Sequence, residues 1–192
     1  KQDGLNTAER TQVVPDELDS LHIGTLTCHA SKVLMKVLYG ARNSRYDLLK
    51  CVNSLSTKVS KWDRDADKEL HRLICFMHSH LDDKLMGWVA NDLQDQVVRL
   101  FTDADFAGCK STSRSTSGVF MCISGPHTRM PLNAISKCQP SVAKSTPEAE
   151  LIAAELGMRI EALPLRTILD FLLGRTVATI LQEDNSATLQ MV

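Results

Sequence analysis

A chain of 192 residues, 43% hydrophobic and 23% charged, is long enough for one domain with a sizeable core, or for a domain with a helical extension, and its composition is that of an ordinary globular protein. Its formal charge is −1, with 13 basic against 14 acidic residues through Gln96 and nine of each after it, so neither half is a basic module that would bind nucleic acid by charge alone. No apolar run approaches the roughly 20 residues that a membrane-crossing helix needs.

Six cysteines (Cys28, Cys51, Cys75, Cys109, Cys122 and Cys138) are scattered without a C-x-x-C pair. They are expected to be free, largely buried thiols of an intracellular reducing compartment. The chain opens on Lys1 with no targeting segment and is therefore expected to be a piece of something longer.

Residues 1–28 are polar and mixed, broken at Pro15, and read as a lead-in. Three helical patterns follow within residues 29–84: Val33, Leu34, Val37, Leu38 and Ala41; then Leu48, Leu49, Val52 and Leu55; then Ala66, Leu70, Leu73, Ile74 and Met77. Polar breaks near Arg42–Ser44 and Ser60–Asp63 predict a compact antiparallel helical layer. From residue 85 onward the pattern changes to short β-prone runs at Leu85–Ala90, Val97–Asp103, Gly118–Ile123 and Met130–Ser136. Ser145-Thr146-Pro147-Glu148 then announces a helix, with Ser145 as its cap, Pro147 in its first turn and Glu148 placed to close a capping box. The helix is expected to bend near Pro164 and to end by Gly174-Arg175. Val177–Leu181 reads as one more strand, and Asn185 opens a further helical stretch.

If the three strands from Val97 to Ser136 form an antiparallel meander, the long helix starts at the top edge of the sheet, and the strand after it runs parallel to the first through a crossover. Three acids then fall on that edge: Asp103 at the end of the first strand, Glu150 in the first turn of the helix, and Asp184 after the last strand. Glu150 shares a helical stripe with Ala153, Ala154 and Gly157, small residues that let the helix sit close to the sheet. Clustered carboxylates repel one another unless a cation or a proton relieves them, and an all-oxygen set suits Mg2+ or Mn2+ rather than zinc.

The motifs around these acids are specific. Phe101-Thr102-Asp103-Ala104-Asp105-Phe106-Ala107-Gly108 resembles Y-S-D-A-D-W-A-G, and Ser113-Arg114-Ser115-Thr116-Ser117-Gly118 carries R-S-T-S-G. Ala134–Pro140 is similar to a strand followed by K-K-Q, Ser145–Leu151 to S-S-T-E-A-E-Y, and Glu183–Ala187 to C-D-N-Q-S-A. Together these five ordered blocks resemble the ribonuclease H domain of copia-type retroelement polyproteins. More loosely, Leu38-Tyr39, Arg45 with Asp47, and Trp62 before Leu70 resemble the region connecting that domain to the polymerase. The polymerase's own paired-aspartate motif is absent, so the chain is not expected to copy RNA into DNA.

The resemblance implies an α/β fold, a ribonuclease H-like mixed sheet with a crossover helix over 85–192, preceded by the small helical layer. It implies hydrolysis of the RNA strand of an RNA–DNA hybrid with Mg2+ or Mn2+ held by Asp103, Glu150 and Asp184. The partners it implies are the hybrid and the rest of the polyprotein, polymerase included. Asp105 is expected to face solvent. The family's fourth metal-binding aspartate lies further downstream and is lacking in this chain, which predicts weak metal binding and weak cleavage by it, with Mn2+ the more permissive ion. The alternative is an inactive retroelement-derived remnant that serves as a binding or structural subunit in a protein complex.

The loop holding Lys110, Ser113, Arg114 and Ser115 could touch phosphates of the hybrid, or be a plain solvated hairpin loop. Cys75, His78, His80 and Asp82 fit no standard zinc spacing. Trp62 and Trp88 are expected to pack the helical layer and the sheet.

Overall fold

A computed structural model of the chain describes residues 23–90, 93–109 and 112–190. The lead-in therefore lies almost wholly outside the described residues, as does Lys110. The first helix, α1 (Thr27–Asn43), is followed by α2 (Leu49–Ser56) and α3 (Arg64–Ser79). Their apolar stripes meet in one core built from Ala30, Leu34, Val37, Leu48, Val52, Trp62, Leu70 and Leu73 among others, as the helical periods predict except at Ile74, which is exposed. Asp63 caps α3 by accepting from the Ala66 N–H at 2.7 Å. The turn before α2 is pinned by Arg45, which pairs with Asp47 and donates to the His80 carbonyl at 2.8 Å.

The second unit is a four-stranded mixed sheet in the order β3-β2-β1-β4, made of β1 (Val97–Asp105), β2 (Thr116–Ser124), β3 (Arg129–Cys138) and β4 (Thr179–Gln182). β1, β2 and β3 are antiparallel, and β4 lies parallel to β1 with Val98 opposite Thr179 and Phe101 opposite Gln182. Strict alternation in β1 makes this a two-faced strand. Val98, Leu100, Thr102 and Ala104 are buried on one face, while Phe101, Asp103 and Asp105 occupy the other.

The crossover is one long helical run: α4 (Thr146–Gly157), a π-helical turn (Met158–Ala162) and α5 (Leu163–Leu173), ended by Gly174 at φ 60°. The bend expected near Pro164 is thus a wide turn just ahead of it. Proline cannot donate to a carbonyl one turn back, and the π-helical turn absorbs that loss. Small residues seat α4 closely on β1 and β2. A Cβ added at Gly157 would lie 3.1 Å from Leu100 and 3.2 Å from both Thr102 and Val119. A short helix, α6 (Ser186–Leu189), packs against α4 and is capped by Asn185.

The helical layer lies against the opposite face of the sheet, α1 and α2 touching β3. Tyr46 Oη donates to the Leu132 carbonyl at 3.1 Å, Asn53 to the Ser136 carbonyl, and Lys50 Nζ sits 2.8 Å from Asp105. No helix among the described residues is long and apolar enough to cross a membrane.

Four expectations need correction. Leu85–Ala90 is not a strand: only Trp88 bridges, to Arg129, and Leu85, Met86, Trp88 and Val89 are all exposed, so β-prone composition found no ladder to join. Trp88 accordingly does not pack the sheet interior as Trp62 packs the helical layer. The cysteines are free, but Cys28, Cys51, Cys75 and Cys138 are exposed and only Cys122 is buried. The lead-in ends earlier than expected, since α1 already includes Thr27 and Cys28.

Candidate acidic site

Asp103, Glu150, Glu183 and Asp184 lie around the end of β1 that extends past its last pairing with β4. Asp103 projects from the open end of β1, opposite Gly118 of β2, and is exposed. Asp184 is exposed just beyond β4. Glu150 is different: it is 96% buried, as its 4% exposure shows, in the first turns of α4. Its helix is started by Ser145, which accepts from the Glu148 N–H, while Glu148 reaches back one residue further than a capping box requires, to the Lys144 N–H at 2.7 Å.

The reach of Glu150 is fixed from beneath by Gln139. This buried amide donates to Ser117 Oγ and to the Ala149 carbonyl, each at 2.9 Å, tying β2 to the turn of α4 beside Glu150. Glu150 accepts the backbone N–H of Ala104, a donor left over where β4 stops, yet its Oε2 has no hydrogen-bond partner. Burial, then the fields of Glu183, Asp103 and Asp184, push the Glu150 carboxyl up to about 7 against that one donor.

Glu183 was not singled out from the sequence, although its charge acts on Glu150 more strongly than that of Asp103 or Asp184. It is held in place by Thr102 Oγ1, which donates at 3.1 Å, and by the Asn185 N–H at 3.2 Å. Its adjacency to Asp184 at a strand end was the available signal. Asp105 does not simply face solvent. It is half-buried, pairs with Lys50, and packs against Gly108, where a side chain would collide with its carboxylate.

Of the loop residues, Ser113 and Arg114 are exposed, and Ser113 takes a left-handed φ of 53°. Ser115 cannot contact a phosphate. It is fully buried, with its Oγ accepting from the Ala107 N–H at 3.1 Å and its carbonyl accepting from the Gln139 N–H.

Among the described residues, no three acids, imidazoles or thiols are drawn together closely enough to form a ready-made metal cage. The acids instead approach from both faces of the sheet, Asp103 from the side of the helical layer and Glu150 from the side of α4. The donor set nevertheless fits a hard divalent cation. It is all oxygen, it concentrates negative charge, and it contains one buried carboxylate oxygen with no other partner. Comparison with protein-family models, with curated proteins and with solved structures finds no match to this chain.

Proposed function

We propose that residues 85–192 form a ribonuclease H-like domain of a copia-type retroelement polyprotein, and that it hydrolyses the RNA strand of RNA–DNA hybrids. Asp103, Glu150 and Asp184 would hold Mg2+ or Mn2+, with Glu183 adding charge from behind. Divalent ions supply an activated water and stabilise the leaving oxygen of a phosphodiester.

The observation that carries this reading is Glu150, a carboxylate buried among three other acids with one oxygen unpartnered. A protein that only needed a stable helix start would gain by an apolar residue there, because clustered buried charge costs stability. A sheet ordered β3-β2-β1-β4 with a crossover helix before β4 agrees with that fold, and the five motif blocks fall on the strand ends and helix start around the acids. Each residue has a definable part. Glu150 would exchange its proton for the cation, Asp103 and Asp184 would complete the oxygen set, and Gln139 would hold the helix turn that aims Glu150.

The test compares the parent chain with Asp103→Asn in thermal unfolding with and without Mn2+, and in cleavage of a labelled RNA–DNA hybrid. Asp103 is exposed, so the variant should fold, and without metal it should be as stable as the parent or slightly more so. Metal binding to the folded state raises the unfolding midpoint by mass action. The expected result is a modest Mn2+-induced rise in the parent that shrinks in Asp103→Asn, together with slow, Mn2+-favoured hybrid cleavage by the parent that the variant lacks. Equal metal-induced shifts in both proteins would remove Asp103 from the site and the proposal with it. Metal binding without cleavage would favour the inactive remnant.

A further inference from the structure

On the sheet face opposite α4, a groove runs between α2 and strands β1–β3, and the acidic site leaves most of it unused. One end is a cavity of about 330 Å3 walled by aromatic rings. Phe101 and Phe120 lie with centroids 5.8 Å apart, and Tyr46 meets Phe120 edge-on at 6.2 Å. The other end, of about 390 Å3, is polar and carries Lys137. Lys50 and Asp105 line both ends, so the two cavities share a waist. Aromatic rings with Asp103 line one end, Lys137 lines the other, and the Lys50–Asp105 pair borders both.

We propose that this groove binds one nucleotide unit of single-stranded RNA. The base lies against Phe101, Phe120 and Tyr46, the ribose hydroxyls donate to Asp105, and the phosphate meets Lys50 and Lys137. Every base has a π-face, so aromatic walls accept any of them. An ionised carboxylate only accepts hydrogen bonds, which suits the hydroxyls of ribose and favours RNA over DNA. The volumes fall in the range of small-molecule pockets. The Lys50–Asp105 pair blocks nothing. Its side chains are 65% and 42% exposed, and an ion pair so open to water is weak, so a ligand offering a phosphate and a hydroxyl can replace each partner for the other.

Asp103 borders the aromatic end, but the binding does not depend on the nuclease reading, because its contacts use no metal and none of Asp103, Glu150 and Asp184. It is therefore tested with the full chain in the presence of a chelator, by titrating adenosine 5′-monophosphate and following backbone and side-chain NMR signals. The expected result is that the signals of Phe101, Phe120 and Lys50 move together. Ribose 5-phosphate, lacking the base, should bind about tenfold more weakly, and the 2′-deoxynucleotide should bind more weakly than the ribonucleotide. Phe120→Leu should cost affinity for the nucleotide and for adenosine alike. Lys50→Met with Lys137→Met, both surface changes that leave the core alone, should cost affinity for the nucleotide but not for adenosine. Shifts confined to residues outside the groove, equal affinity for ribose 5-phosphate, or affinity unchanged in the double lysine variant would each overturn the proposal. Loss of the Mn2+ effect would sink the nuclease reading and leave this one standing.

Discussion

Each half of the molecule places a carboxylate near the start of a helix, and the two are treated in opposite ways. In the helical layer, Asp67 of α3 accepts from the Thr25 N–H at 2.6 Å, Thr25 Oγ1 at 2.9 Å, the Leu26 N–H at 3.2 Å and Trp62 Nε1 at 2.6 Å. Burial alone would raise this carboxyl, but the donors from Trp62, Thr25 and Leu26 outweigh it and hold it below the usual carboxylate range. In the sheet unit, Glu150 has one backbone donor, an orphaned oxygen and three acidic neighbours, and its carboxyl is pushed up to about 7. Asp67 serves the fold: it staples the entry of α1 and the indole of Trp62 onto α3. Glu150 works against the fold, as the proposed cation site requires. Substitutions that neutralise each acid should therefore have opposite signs.

The largest effect belongs to Glu150. Its ordinary value is 4.5 and its folded value about 7, so the native state keeps a proton that the unfolded chain has already released. Between those values the folded state binds more protons, and stability falls as pH rises. The penalty is absent below about 4.5, complete above about 7, and amounts to about 3 kcal/mol. Glu150→Gln removes the charge, keeps an acceptor for the Ala104 N–H and turns an amide donor toward the acids. In chelator the variant should gain up to about 3 kcal/mol over the parent at pH 8, with the gain vanishing near pH 4.5. Urea denaturation at the two pH values measures it. A variant no more stable than the parent at pH 8 would show that Glu150 is better satisfied than its surroundings indicate.

Asp67→Asn should do the reverse. Asparagine keeps one acceptor oxygen but points an amide into a ring of donors, and it leaves the Trp62 N–H, whose residue is 4% exposed, without a charged acceptor. The cost is about 2 kcal/mol. Because the folded carboxyl is held low, its contribution is present above the ordinary carboxylate range and is lost as pH falls through the folded value. The variant should be less stable than the parent at pH 7 and should converge with it in acid. A loss of tryptophan-reported stability that persists undiminished at low pH would assign the effect to packing rather than to charge.

The difference between the two acids also marks how far sequence alone could reach. The helical layer was legible because its three apolar stripes repeat at 3.6 residues, and a meander followed by a crossover helix left β4 one natural place beside β1. Topology puts the acids near enough for their charges to act on Glu150, but among the described residues no three form a group that could hold a metal, and the faces were not legible. Alternation along β1 puts Asp103 on the side of the helical layer, while Glu150 comes from the helix on the other side, held by Gln139 on the Ala149 carbonyl and by the Ala104 N–H that it accepts. Ser115 looked like part of a solvated hydroxyl loop, yet its Oγ closes the turn at Ala107, a contact eight residues apart that no periodicity encodes. Asp67 passed unnoticed for the same reason: its donors at Thr25 and Leu26 lie about forty residues away.

The smallest effect separates helix formation from the presentation of Glu150. Ser145 caps α4 through the Glu148 N–H at 3.4 Å, a long bond on an exposed residue, while the Glu148 carboxylate independently satisfies Lys144 and the buried Gln139 amide grips the Ala149 carbonyl. Removing the cap by Ser145→Ala frees one donor to water and should cost no more than about 1 kcal/mol. Because Gln139 and the close seat of Gly157 hold the helix at two other points, Glu150 should stay where it is. The pH dependence attributed to Glu150 should therefore be the same in Ser145→Ala as in the parent, displaced by a constant. The check is the same pair of urea titrations at pH 4.5 and 8. If the capless variant instead loses the pH dependence, the first turn has frayed, Glu150 has reached water, and its burial depends on the cap rather than on Gln139.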